Sequence, residues 1–223
     1  MKQIPLAIGP DVPPSFDSFV PGPNAAALAH LQGLSAAPTA APVYLWGPAG
    51  SGKTHLLRAL ALEGQRRGDQ VGWFGAADPL PWAFDPAWSL MVLDDCHAFD
   101  PPRQQAAFAL FVDAASHAVQ VAAAGALPPV DLPVRDDLRT RLGWGHVFAL
   151  HPLDEEQVRA TLRREADRRG IFLSDDVMAY LLTRFARDLT HLMALLDRLD
   201  GYALAQQRAV TVPLIRQMLA EAP

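Results

Sequence analysis

The sequence predicts an α/β protein: a five-stranded parallel sheet with helices on both faces, followed by a small all-helical domain. Three observations carry that prediction. Gly47-Pro48-Ala49-Gly50-Ser51-Gly52-Lys53-Thr54 reads G-x-x-x-x-G-K-T between a short apolar run and a run of helix formers. Apolar runs then alternate with helical stretches as far as His151-Pro152, which is how a parallel sheet with crossover helices is written. Beyond that point only helical periodicity remains. With 223 residues, half of them apolar, the chain suits a main domain with a small appendage. The expected boundaries are an extended tail over 1–14, the α/β domain over 15–151 and the helical domain over 152–223.

The tail is Pro-rich, and Pro5, Pro10, Pro13 and Pro14 forbid a stable helix. Within it Gln3-Ile4-Pro5-Leu6-Ala7-Ile8 sets a glutamine before spaced aliphatics, which can dock as an extended peptide in an apolar groove. In Phe16-Asp17-Ser18-Phe19-Val20-Pro21-Gly22-Pro23-Asn24 two aromatics flank an acidic turn, and Asn24 is expected to cap a helix through Ala25, Leu28 and Leu31. Val43-Tyr44-Leu45-Trp46 reads as the first strand. The helix after the glycine loop is expected to reach about Arg67 and stop at Gly68. Val71–Phe74 is a second strand, and the prolines between Asp78 and Trp88 make a loop. Ser89–Leu93 is a third strand, Pro101–His117 a helix, Val119–Ala124 a fourth strand, Asp136–Leu142 a short charged helix and His146–Leu150 the last strand. In the helical domain Asp154 with Gln157 forms a capping box, Ser174 caps the next helix, a third runs from about Asp188 to Gln206, and a fourth starts near Pro213.

Two motifs carry chemistry. In the glycine loop, Gly47, Gly50 and Gly52 let the backbone turn tightly and bring its N–H groups onto a phosphate, with Pro48, Ala49 and Ser51 between them. Lys53 places a cation on the outer phosphates, the Thr54 hydroxyl can ligate Mg²⁺, and the following helix points its positive end at the same place. The third strand ends in Asp94-Asp95, a Walker B arrangement. Asp94 is placed to hold the Mg²⁺ shell and Asp95 to polarise an attacking water. Cys96 and His97 lack further ligands at metal-binding spacing and read as structural.

A net charge of −5 argues against a broad nucleic-acid-binding surface. The sequence shows no C-terminal basic helix-turn-helix, so direct sequence-specific DNA binding is not expected. The lone Cys96 excludes an internal disulfide. No signal-peptide core and no long uncharged apolar run are evident, so the expectation is a cytoplasmic protein without a membrane span.

A phosphate loop, a Walker B strand, an arginine-bearing helix before the last strand and a helical lid together resemble the AAA+ ATPases. Within them, Phe16–Asn24 resembles the adenine-side signature of the replication initiator DnaA. Leu138-Arg139-Thr140-Arg141-Leu142-Gly143-Trp144-Gly145 and Leu196-Asp197-Arg198-Leu199-Asp200 are similar to Hda, the short DnaA-related inactivator of DnaA. The resemblance runs nearly end to end. It implies ADP or ATP with Mg²⁺ as cofactor, adenine packed at Phe19, Val20 and Asn24, and Arg141 (or Arg139) as an arginine finger acting on a neighbouring subunit's nucleotide. It implies as partners DnaA and the replicative sliding clamp, the latter through Gln3, Ile4, Leu6 and Ile8, with a homodimer also possible. Two departures stand out. Ala122-Ala123-Ala124-Gly125-Ala126-Leu127 covers the sensor 1 position without a polar side chain, and sensor 2 falls on Thr190 with Arg187 one turn earlier. Both predict poor ATP hydrolysis by the isolated protein. The alternative is a helicase-loader-like or self-sufficient ATPase.

Overall fold

A computed structural model describes residues 13–36, 39, 41–185 and 189–221. It divides into two compact units, residues 13–152 and 153–221.

The first unit is built on strands β1 (Val43–Trp46), β2 (Gln70–Phe74), β3 (Trp88–Leu93), β4 (Gln120–Gly125) and β5 (His146–Ala149). All pair in parallel in the order β2-β3-β4-β1-β5. Because side chains alternate along a strand, each strand feeds both faces. Val43, Leu45, Leu90, Val92, Ala122 and Ala124 join one core with α1 (Ala25–Ala36) and α2 (Lys53–Arg66). Tyr44, Met91, Leu93, Val121 and Ala123 join the other with α3 (Pro101–Ser116) and α4 (Asp136–Gly143). The expected five-stranded sheet between helical layers is therefore the observed one, with strand limits moved by a residue or two. Both faces being covered explains why the strands read as nearly unbroken apolar runs.

Local signals hold where the chemistry is local. Gly68 takes a φ of 91° just beyond α2, as a helix stop does. Asp100 caps α3 by accepting from the Arg103 N–H at 3.0 Å. Residues 78–88 form the expected loop, anchored by Trp82 and Phe84 packing on Phe74, Trp88 and Phe99.

Asn24 departs from expectation. It is buried at the end of a 3-10 turn, Gly22–Asn24, and its side chain does not cap α1. Its Nδ2 donates to the His151 carbonyl at 2.9 Å and its Oδ1 accepts from the His151 N–H at 2.8 Å. The amide thus ties the backbone just beyond β5 to the chain entering α1 instead of capping the helix.

The second unit holds α5 (Glu155–Arg168), α6 (Asp175–Arg184), α7 (Leu189–Gln206) and α8 (Val212–Ala220) around a core that includes Leu162, Met178, Leu196 and Ile215. The Asp154–Gln157 capping box and the Ser174 cap are present. Arg169 ties α5 to α7: it bonds Asp197 at 2.8 Å and Glu165 at 2.8 Å. No helix among the described residues is long and apolar enough to cross a membrane.

Candidate functional site

The site is built where β1 runs into α2. Gly47, Gly50 and Gly52 have φ values of 154°, 75° and 93°, all in the region that disfavours side chains. At Gly47 a Cβ would drive into the Leu150 carbonyl oxygen, so the residue just past β5 packs directly on the loop. Gly52 sits before α2 and offers no capping side chain. The N–H groups of the first turn are left without intrahelical acceptors, the usual cradle for a phosphate.

The polar side chains converge from three elements. Lys53 is buried, and its Nζ donates to the carbonyls of Gly47 and Pro48, both at 2.8 Å. Burial pulls its pKa below the ordinary lysine value, while the Asp95 and Asp94 carboxylates push the other way. Thr54 Oγ1 donates to Asp94 Oδ2 at 2.8 Å, joining the start of α2 to the end of β3. Asp94 is buried; desolvation raises its pKa, against the Thr54 hydrogen bond. Its Oδ1 accepts from the Asp95 N–H at 3.0 Å. Asp95 is exposed and takes a left-handed backbone, φ 54°, which turns it away from the strand direction. Ser51 is buried in the loop, and its Oγ has no hydrogen-bond partner among the described residues.

These residues fit a nucleoside polyphosphate with a divalent cation. The orphaned Ser51 hydroxyl, the uncapped helix start and the closely approached glycines all provide for an anion. The Thr54–Asp94 pair is a hydroxyl beside a carboxylate, the donor set Mg²⁺ takes.

Phe19 is brought to the same loop. Its ring lies against Gly52, where a Cβ would come within 2.6 Å of Cε2. Its centroid is 5.7 Å from that of His55. Val20 is half-buried beside it in sequence, and Asn24 is fixed by His151 as described. Sequence reasoning missed His55. Its only sequence signal is its place directly after Thr54; its partners Ser18 and Ser15 lie 37 and 40 residues back.

Helix α4 carries the arginines. Leu138 and Leu142 bury one turn apart, which turns Arg139, Thr140 and Arg141 off the core. Arg135, at the start, pairs with Asp137 at 2.7 Å, and Arg139 pairs with Asp136. Among the described residues Arg141 has no ion-pair or hydrogen-bond partner for its guanidinium.

At the sensor 1 segment, Gly125 ends β4, and a Cβ there would collide with the Tyr44 hydroxyl. That hydroxyl donates to the Leu127 carbonyl at 2.9 Å. Cys96 is buried, its thiol pKa pushed up by burial, and no group of three or more metal-ligating side chains exists among the described residues. Gln3, Ile4, Leu6, Ile8 and Arg187 lie outside the described residues; Thr190 stands in the first turn of α7.

Comparison with known proteins follows the same division. Residues 13–72 match the family described as bacterial DnaA ATPase domain, and residues 154–219 match the Hda lid domain. Among solved structures, domain III of DnaA from Thermotoga maritima is similar over 96% of this chain and 97% of its own, at 20% identity and a TM-score of 0.77. AMPPCP-bound DnaA from Aquifex aeolicus is similar over 90% and 70%, at 19% identity and a TM-score of 0.69. The RuvB branch migration motor of T. maritima is similar over 93% and 72%, at 15% identity and a TM-score of 0.67. At such identities the structures show a shared fold, the five-stranded sheet with a helical lid. With a DnaA-type ATPase segment ahead of an Hda-type lid, the chain belongs to the DnaA/Hda group of AAA+ proteins, whose ATPase domain is a nucleotide-binding one.

Proposed function

We propose that this chain is a negative regulator of replication initiation of the Hda kind. It holds ADP or ATP with Mg²⁺ in the Gly47–Thr54 loop, docks on the sliding clamp through Gln3, Ile4, Leu6 and Ile8, and stimulates hydrolysis of DnaA-bound ATP. The observation that carries the reading is the contrast among the arginines of α4. Arg135 and Arg139 are neutralised by neighbouring aspartates, whereas Arg141 is left with an uncompensated cation. A guanidinium with no partner at home is available to stabilise charge on another subunit's triphosphate.

The division of labour follows from the chain's own residues. Lys53, the first-turn N–H groups of α2 and the Ser51 hydroxyl would hold the phosphates, and Thr54 with Asp94 would hold the cation. A bound Mg²⁺ would supply charge neutralisation to the phosphates. Asp95, exposed next to Asp94, would orient water. The sensor 1 segment presents alanines and glycine, so charge developing in the chain's own site lacks one donor. This supports slow turnover in isolation and leaves nucleotide chiefly as a structural ligand.

The test is stimulated hydrolysis of DnaA-bound ATP in the presence of DNA-loaded clamp. Arg141→Ala should abolish stimulation while ADP binding stays intact. Persistent stimulation would remove Arg141 as the finger. Rapid ATP turnover by the pure protein would instead favour a self-sufficient or helicase-loader-like ATPase.

A further inference from the structure

The geometry points to His55 as a positioning residue for base recognition: it clasps the Ser15–Phe19 turn to the first turn of α2 and so holds the Phe19 ring over the phosphate loop. This rests on the nucleotide-binding reading of the Gly47–Thr54 loop and adds to it a residue and a division of the ligand.

His55 Nε2 lies 3.0 Å from the Ser15 carbonyl oxygen. A carbonyl only accepts, so this nitrogen carries the proton and donates. The Ser18 hydroxyl is 3.3 Å from the same nitrogen and donates to the same carbonyl at 3.0 Å. The turn is closed on itself as well. The Ser15 N–H reaches Ser18 Oγ at 3.1 Å, the Ser18 N–H reaches Ser15 Oγ at 3.2 Å, and the Phe19 N–H reaches the Phe16 carbonyl at 3.3 Å. The arm therefore arrives at α2 as a preformed loop, and the imidazole is the side chain of α2 that hydrogen-bonds it among the described residues.

The far end of the arm is fixed separately. Both ends of the Asn24 amide are taken by the His151 backbone beyond β5. An amide so engaged has no donor left over for a base edge beyond its second N–H. The arm also offers apolar packing and stacking, for which Phe19 is the aromatic group at the loop. A ring that stacks is effective only if held in place, because ordering a loose arm on binding subtracts from affinity. His55 supplies that hold from the residue next to Thr54. The phosphate end of the ligand is gripped by the loop itself and does not depend on the clasp.

The experiment measures ADP, GDP and inorganic tripolyphosphate binding to the full chain by calorimetry, for wild type, His55→Leu, His55→Gln and Ser18→Ala. Loss of one such hydrogen bond and the order it imposes should weaken ADP and GDP alike, about tenfold, in His55→Leu, with tripolyphosphate unchanged. His55→Gln, which keeps a donor, should recover most of the ADP affinity, and Ser18→Ala should show a smaller loss of the same kind. Unchanged ADP affinity in His55→Leu, or equal losses of ADP and tripolyphosphate, would overturn the clasp. If His55→Leu does not fold, Ser18→Ala decides, since it leaves α2 untouched; an unaltered ADP-to-tripolyphosphate ratio there overturns the clasp too. Failure of wild type to bind ADP or tripolyphosphate would instead sink the nucleotide reading on which the clasp depends.

Discussion

The loop at Gly47–Thr54 and the helix at Asp136–Gly143 belong to the same α/β unit and are built on opposite rules. At the loop Lys53, Thr54 and Asp94 are drawn inward and engaged. Lys53 holds two carbonyls, Thr54 holds Asp94, and Asp94 holds the N–H of Asp95. At the helix and its N-cap the charge balance is uneven over nearly two turns: Arg135 and Arg139 are matched, Arg141 is not. Buried, mutually held groups keep their geometry when a ligand arrives, which suits gripping. A half-buried, unmatched cation adds no ion pair to its own fold, which suits being offered elsewhere. Substitution should therefore damage binding and stability at the loop, and partner-dependent chemistry alone at the helix.

The sharpest way to break this contrast is at the helix. Arg141→Ala should lower stimulated hydrolysis by about 10³- to 10⁵-fold with the melting temperature unchanged. Arg139→Ala should leave stimulation within about tenfold, since that guanidinium is already engaged by Asp136. Equal losses from the two would erase the distinction. At the loop, Gly47→Ala should destabilise the unit by about 3 kcal/mol and abolish nucleotide binding, because the new Cβ meets the Leu150 carbonyl at a backbone angle alanine avoids. Denaturant titration reads the first effect and calorimetry the second; a fully stable Gly47→Ala would mean the loop yields easily.

A smaller effect should come from acid. The His30 ring lies 4.3 Å from His146 and 5.0 Å from Phe148, and its pKa is lowered from 6.5, first by burial and then by the His146 charge. A depressed histidine pKa means the unfolded chain takes up the proton more readily. Its contribution is therefore fully present above about pH 6.5 and fades as pH falls below that value. Melting temperature should decline between pH 7 and pH 5, and His30→Gln should flatten that decline. A decline of equal steepness in the variant would assign it to other groups.

Much of this was legible in the sequence, and for identifiable reasons. The glycine loop, the Asp154 box and the Ser174 cap depend on residues within a few positions of one another, so spacing alone reveals them. The five strands were legible because burial on both faces leaves continuous apolar runs. What escaped was everything made at long range. Asn24 reads as a cap until His151, 127 residues on, is known to lie beside it. His55 reads as an ordinary helix residue until Ser15 is folded back onto it. The uneven pairing along α4 was equally hidden, since Asp136 and Asp137 stand beside three arginines and composition cannot say which one is left out.

The Tyr44 phenol has a consequence for what this chain could become. Its oxygen occupies the volume that a side chain at Gly125 would need, and it is kept there by the Leu127 carbonyl. Installing a serine or asparagine at 125 in the present background would wedge β1 away from β4. Trimming the phenol to phenylalanine first would open room for it while leaving that carbonyl without its donor. A polar side chain at position 125 is thus a two-step change whose first step is unrewarded, a ratchet that keeps glycine at this strand end.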